Sequence, residues 1–273
     1  MNYSLGNMLG GGSLTLDPDA RTYIAAVVAA GGTVSGTQKN AINTFYKTGK
    51  SAGWYSSIKR MYLPIWASAA PNAIDMIGLT SGTFNGTVTH AAGYVQGDGS
   101  TGYFEPPTGS EYGNLGLSNS SASIFYLALD ETVKTEAFHG LAGSGTERLG
   151  IGVPATLATM FLHPDSAPAT LVQFAGQRSG IFVGSSTATN SRTLLRTSSS
   201  GFTRGSNTVS NTSTPPNIVP FFMARNNNGS PALYANSKFG LFGVGLGLSS
   251  TDDENYSLAL KNLWETCTGL TLP

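Results

Sequence analysis

The residues best suited to holding a ligand are the amides of Asn226-Asn227-Asn228-Gly229, together with the rings of Tyr112 and Tyr234. Side-chain amides offer donors and acceptors to hydroxyl groups, and a phenol ring can lie against the flat face of a sugar. This combination points to recognition of a polyol rather than to bond breaking. Asn-Gly is also the signature of a tight two-residue hairpin, and for this segment the turn reading comes first.

Residues able to cleave a glycan are sparser. Retaining glycosidases hold two carboxyl groups about 5 Å apart, often from positions i, i+2 or i, i+4 of one strand. No such pair falls on an expected strand. Asp130 and Glu131 are adjacent, so on a strand they point to opposite faces. Asp252, Asp253 and Glu254 are explained as helix caps. His90, His139 and His163 have no second ligand at i+2 or i+4 and suit strand positions better than a metal. Ser144 lacks the G-x-S-x-G elbow. Gly49-Lys50-Ser51 resembles the end of a phosphate loop, but Thr44 stands where the first glycine belongs and no strand precedes it. The sequence therefore suggests no catalytic residue, no metal and no cofactor, and the chain is expected not to be an enzyme.

Composition narrows the partners. The 273 residues carry 15 Lys+Arg against 15 Asp+Glu and 35 glycines, with 11% charged residues. A neutral chain lacks the basic face of a nucleic-acid binder. The single cysteine, Cys267, excludes an internal disulfide framework and suits a small buried thiol. No apolar run approaches the roughly 18 residues of a membrane helix, and MNYSLGNMLGGGS has no basic n-region or apolar h-region. A soluble protein made in the cytoplasm, with no membrane insertion, is expected.

The elements that must position these residues follow from periodicity and caps. Residues 1–13 form an arm that ends in the joint Gly10-Gly11-Gly12-Ser13. Its Tyr3, Leu5, Met8 and Leu9 are too apolar for a purely solvated tail. Docking on a neighbouring subunit within a homo-oligomer is one reading, and an unstructured start is another. A third is an arm folded back on its own sandwich.

Asp17-Pro18 opens a first helix, with Tyr23, Ile24, Val27 and Val28 on one face. Ser35 and Gln38 have capping-box spacing for a second helix, which Gly49 is expected to close. A third is expected from Trp54 to Tyr62, broken by Pro64. From about Leu79, short β-rich runs alternate with Gly, Ser, Asn and Pro clusters. Among them, Asn207–Asn211 and Val219–Arg225 are expected strands. Phe239 to Leu248 suits a buried strand whose glycines 243, 245 and 247 share one bare face. A helix opening at Ser250 and ending before Gly269 closes the chain.

LDPDARTYIAAV with the later AINTF, then VQGDGSTGYFEP, then RNNNGSP followed by FGVGLGLSSTDDENYSLALKNLW together resemble one family. They are similar to the concanavalin-A/laminin-G-like virion proteins of tailed bacteriophages, from about Leu14 to Gly269. The resemblance implies a mainly β, concanavalin-A-like jelly-roll sandwich over 67–273 that includes the C-terminal helix, a helical segment over 14–66 and the arm over 1–13. It further implies a virion structural protein of tail-appendage or fibre type, touching other virion proteins and host-surface polysaccharide. A capsid decoration protein and a carbohydrate-active enzyme are the alternatives, since fold alone does not fix function.

Overall fold

The computed structural model describes residues 15–129, 137–142, 148–153, 160–162, 172–174, 178–210 and 214–273. Helix α1, Pro18–Ala29, starts where the Asp17 carboxylate accepts from Asp19 N–H. Helix α2, Gly36–Ala52, opens on the reciprocal capping box of Ser35 and Gln38. It runs past Gly49, where an end was expected. Gly49 lies inside the helix because the Trp54 ring occupies the place of its missing side chain, 2.6 Å from an ideal Cβ. Gly53, at φ 88°, is the true stop.

The expected third helix is also corrected. Trp54–Ser57 is one 3-10 turn, and β1, Ile58–Tyr62, is a strand. Pairing against glycines of the last strand overrides local helical spacing. A Cβ on Gly243 would meet the Arg60 carbonyl at 2.2 Å, and one on Gly245 the Ser57 carbonyl at 2.5 Å. The bare glycine face thus admits the backbone of β1.

After a one-turn helix α3, Ala69–Asn72, come β2 (Thr83–Asn85), β3 (Val88–Ala91), β4 (Tyr94–Gly97) and β5 (Tyr103–Glu105). There follow β6 (Ala122–Ala128), β7 (Ala137–Ala142), β8 (Arg148–Val153), β9 (Met160–Leu162) and β10 (Val172–Phe174). The remaining strands are β11 (Gly180–Ala188), β12 (Ser191–Ser198), β13 (Gly201–Asn207), β14 (Arg225–Asn227), β15 (Ser230–Ala232) and β16 (Lys238–Gly245). Helix α4, Ser250–Thr268, is capped by Ser249 and stopped by Gly269. Two expected strands are displaced: β13 ends at Asn207 rather than beginning there, and Phe221 and Phe222 form only local bridges before β14.

The larger sheet runs β13-β12-β11-β6-β16-β4-β3, with β1 also on β16, and the second runs β10-β9-β8-β7-β14-β15. A two-stranded ribbon, β2-β5, completes the β structure among the described residues. Along β6 every residue is buried, because the sheet is covered on both faces. Phe125 and Leu127 join Tyr23, Phe45 and Trp54 under the helices. Ile124 and Tyr126 join Leu141, Leu149 and Ile151 between the two sheets. The mainly β sandwich, with helices before it and one after it, is as the resemblance implies.

Helix α4 is seated by Trp264, which is 1% exposed. Its indole lies over Gly240, where the β16–β6 register shifts, and an added Cβ there would fall 2.4 Å from Nε1. Trp264→Ala removes this contact and is expected to cost about 3–5 kcal/mol, measured by urea unfolding. A loss below about 1 kcal/mol would show that the helix face is not packed.

His139 is 2% exposed between the sheets, its Nδ1 accepting from Met223 N–H at 2.9 Å. Burial lowers its pKa from 6.5 to about 3. The native imidazole therefore stays neutral while the unfolded one charges below pH 6.5. This contribution is full above pH 6.5 and is lost as pH falls toward 3, at up to about 1.4 kcal/mol per pH unit. The stability gap between the wild type and His139→Gln is expected to narrow at that rate between pH 6 and 4. A gap independent of pH would contradict a buried neutral histidine.

Candidate functional site

The site begins at the turn between β4 and β5. Asp98 accepts from the N–H groups of Ser100, Thr101 and Gly102 at 2.9, 2.7 and 2.8 Å. The hydroxyls of Ser100 and Thr101 donate to its other oxygen. Slight desolvation raises the carboxyl pKa, but these donors outweigh it and hold the group far below the usual carboxylate range. A fixed turn delivers β5 in one register against β2, pairing Tyr103 with Asn85 and Glu105 with Thr83.

Alternation then divides the ribbon. Phe84 and Phe104 pack with ring centroids 4.6 Å apart on one face. Tyr103 and Glu105, with Asn85 and Thr83 across from them, occupy the other. The Tyr103 ring lies 4.8 Å from Phe221 and 6.2 Å from Tyr234. Burial first, then the Glu105 carboxylate and Tyr234, raise the Tyr103 pKa, so the phenol keeps its proton at neutral pH. Asn85 Nδ2 stands 3.5 Å from Glu105 Oε2.

Tyr234 links this ribbon to the β14–β15 hairpin, its hydroxyl donating to the Pro231 carbonyl at 3.4 Å. Asn228 and Gly229 have φ of 50° and 92°, the two positive angles of a type I′ turn. Asn226 is buried and builds that turn: its Nδ2 donates to the Val219 carbonyl at 2.7 Å, and its Oδ1 accepts from Gly229 N–H at 2.6 Å. Asn227 and Asn228 are exposed at the tip.

Of the residues expected to touch a ligand, Asn227 and Asn228 are exposed at the hairpin tip and Tyr234 is half-buried just after the hairpin. Asn226 is the scaffold beneath it. Tyr112 is corrected: it is 3% exposed in the core, so its ring is closed to a ligand. The arm residues Tyr3, Leu5, Met8 and Leu9 lie outside the described residues. Tyr103, Glu105 and Asn85 were missed. The available signal was the aromatic–aromatic–acid alternation of Tyr103-Phe104-Glu105.

Among the described residues, two acidic pairs that the fold brings together are each bridged by a cation. Lys50 contacts Asp17 and Asp19 at 2.7 and 2.8 Å, and Arg204 contacts Asp253 and Glu254 at 2.6 and 2.9 Å. Among the described residues, no three His, Cys, Asp or Glu side chains gather as a metal site. Cys267 is buried, and burial pushes its thiol up to about 12.

No protein-family model matches the chain, and no curated protein matches its sequence. Solved structures do share its fold. Trypanosoma rangeli sialidase in complex with 2,3-difluorosialic acid aligns at a TM-score of 0.53 and 13% identity. A mutant of the same sialidase displaying trans-sialidase activity aligns at 0.51 and 12%. Each alignment covers 82% of this chain but 39% of the sialidase, so the chain spans about two fifths of those proteins. Domain 4 of a GH43 extracellular arabinanase from Geobacillus stearothermophilus, in complex with arabinotriose, aligns at 0.44 and 15%, over 74% of this chain and 98% of that one. The jelly-roll part of the expected resemblance stands, and none of these structures is a virion protein.

The expectation that the chain is not an enzyme is overturned by the sialidases, because its fold is one that enzymes carry. That expectation rested on carboxylate spacing along single strands. Such spacing cannot register carboxylates brought together from different strands.

Asn226→Ala should leave the Gly229 N–H and the Val219 carbonyl without their partner, at a cost of about 1–3 kcal/mol. Thermal unfolding measures the cost. An unchanged melting temperature would remove Asn226 from its role beneath the hairpin.

Proposed function

We propose that this chain is a glycan-recognising β-sandwich unit of a carbohydrate-active protein. The observation that carries this reading is the pair of partly exposed rings, Tyr103 and Tyr234, 6.2 Å apart beside the hairpin whose tip exposes Asn227 and Asn228. Rings stack on the apolar face of a sugar, and amides and phenols exchange hydrogen bonds with its hydroxyls. The fold shared with the sialidases supports the same reading. The one charge that the β2–β5 ribbon contributes is Glu105, which disfavours an acidic sugar and favours a neutral one. In the particle setting that the sequence resemblance implies, that glycan would belong to a host surface.

Affinity electrophoresis in gels containing neutral polysaccharides tests the reading. Retardation of the wild type is expected with at least one of them. Tyr234→Ala and Tyr103→Ala should each weaken binding roughly five- to tenfold, the value of one ring contact of about 1–1.4 kcal/mol. Equal retardation of the wild type and both variants would move the site elsewhere. No retardation by any glycan would remove the reading.

A further inference from the structure

On the helical face, α2 and α4 leave a cleft of about 490 Å³, the size of a ligand site. Its apolar surface includes Phe45, Leu263 and Leu258, and its rim carries Asn40, Asn255 and Asn262. Among the described residues, no charged side chain lines it. Leu258 is 42% exposed at this cleft.

We propose that residues 3–9 of this same chain occupy the cleft. The segment, YSLGNML, matches it chemically: it has no charge, and it combines the apolar Tyr3, Leu5, Met8 and Leu9 with the polar Ser4 and Asn7. Its point of departure also fits. The Thr15 carbonyl accepts from Lys47 Nζ at 3.0 Å, and Asp17 N–H donates to Asn43 at 2.7 Å, so the chain leaves beside α2, one wall of the cleft.

The lengths agree. From Leu9 to Thr15 the chain can extend about 20 Å, enough to cross a helix about 10–12 Å wide. Residues 3–9 extended span about 23 Å, and the α2 wall from Asn40 to Ala52 is about 18 Å long. A short glycine tether also gives the arm a millimolar effective concentration, so it outcompetes the arm of another copy.

Spin labelling of the full chain tests the docking. Asn7→Cys supplies a single accessible thiol, because Cys267 is buried. A nitroxide there should broaden the side-chain amide resonances of Asn40, Asn255 and Asn262 within one molecule. Leu258→Lys, at an exposed position, should abolish that broadening and leave the rest of the spectrum in place. Full intensity at the three amides, or broadening that survives Leu258→Lys, overturns the proposal. So does broadening seen only when labelled and isotope-labelled chains are mixed, which would place the arm on a second copy.

Discussion

The contact on which the rest depends is that of Trp264 with two glycines. Its ring lies over Gly240, and its Nε1–H donates to the Gly93 carbonyl at 3.0 Å. Gly93 belongs to the turn between β3 and β4, and β4 is paired with β16 at only two positions, Lys238 and Phe239. The indole therefore fixes a lightly held strand from the helical side. It satisfies its own N–H while burying the largest of side chains. A side chain at Gly240 would displace the ring, which is why this position in a hydrophobic strand has none.

From that anchor the geometry runs to the surface. A fixed β4 leads into the Asp98 turn, whose five donors leave β5 one register. That register points Phe104 into the core and Tyr103 with Glu105 out. Helices cover one face of the large sheet and the second sheet covers the other, which leaves the ribbon and hairpin as the surface proposed to meet a glycan. The platform is thus a consequence of how the sandwich is closed.

Much of this architecture was legible in the sequence. Caps at Asp17, Ser35 and the Ser249-Ser250 junction act locally and need no knowledge of partners. The strand Ile58–Tyr62 was not legible, because its helical spacing yields to pairing with glycines nearly two hundred residues away. Gly49 misled for a different reason: the Trp54 ring, five residues on, folds back over it and explains a glycine within a helix. At the site, the Asn-Gly turn and Tyr234 were visible locally. Tyr112 was not separable from Tyr103, since burial of the first and partial exposure of the second arise from contacts with Phe221, Tyr234 and the core.

Fluorine NMR of protein containing 3-fluorotyrosine tests glycan recognition at the platform most directly. Each tyrosine is assigned by substitution, and a neutral oligosaccharide that the protein retains is titrated in. The account predicts saturable shifts at Tyr103 and Tyr234, with the core residues Tyr112 and Tyr256 unmoved. Shifts at other tyrosines while these two stay still would contradict it.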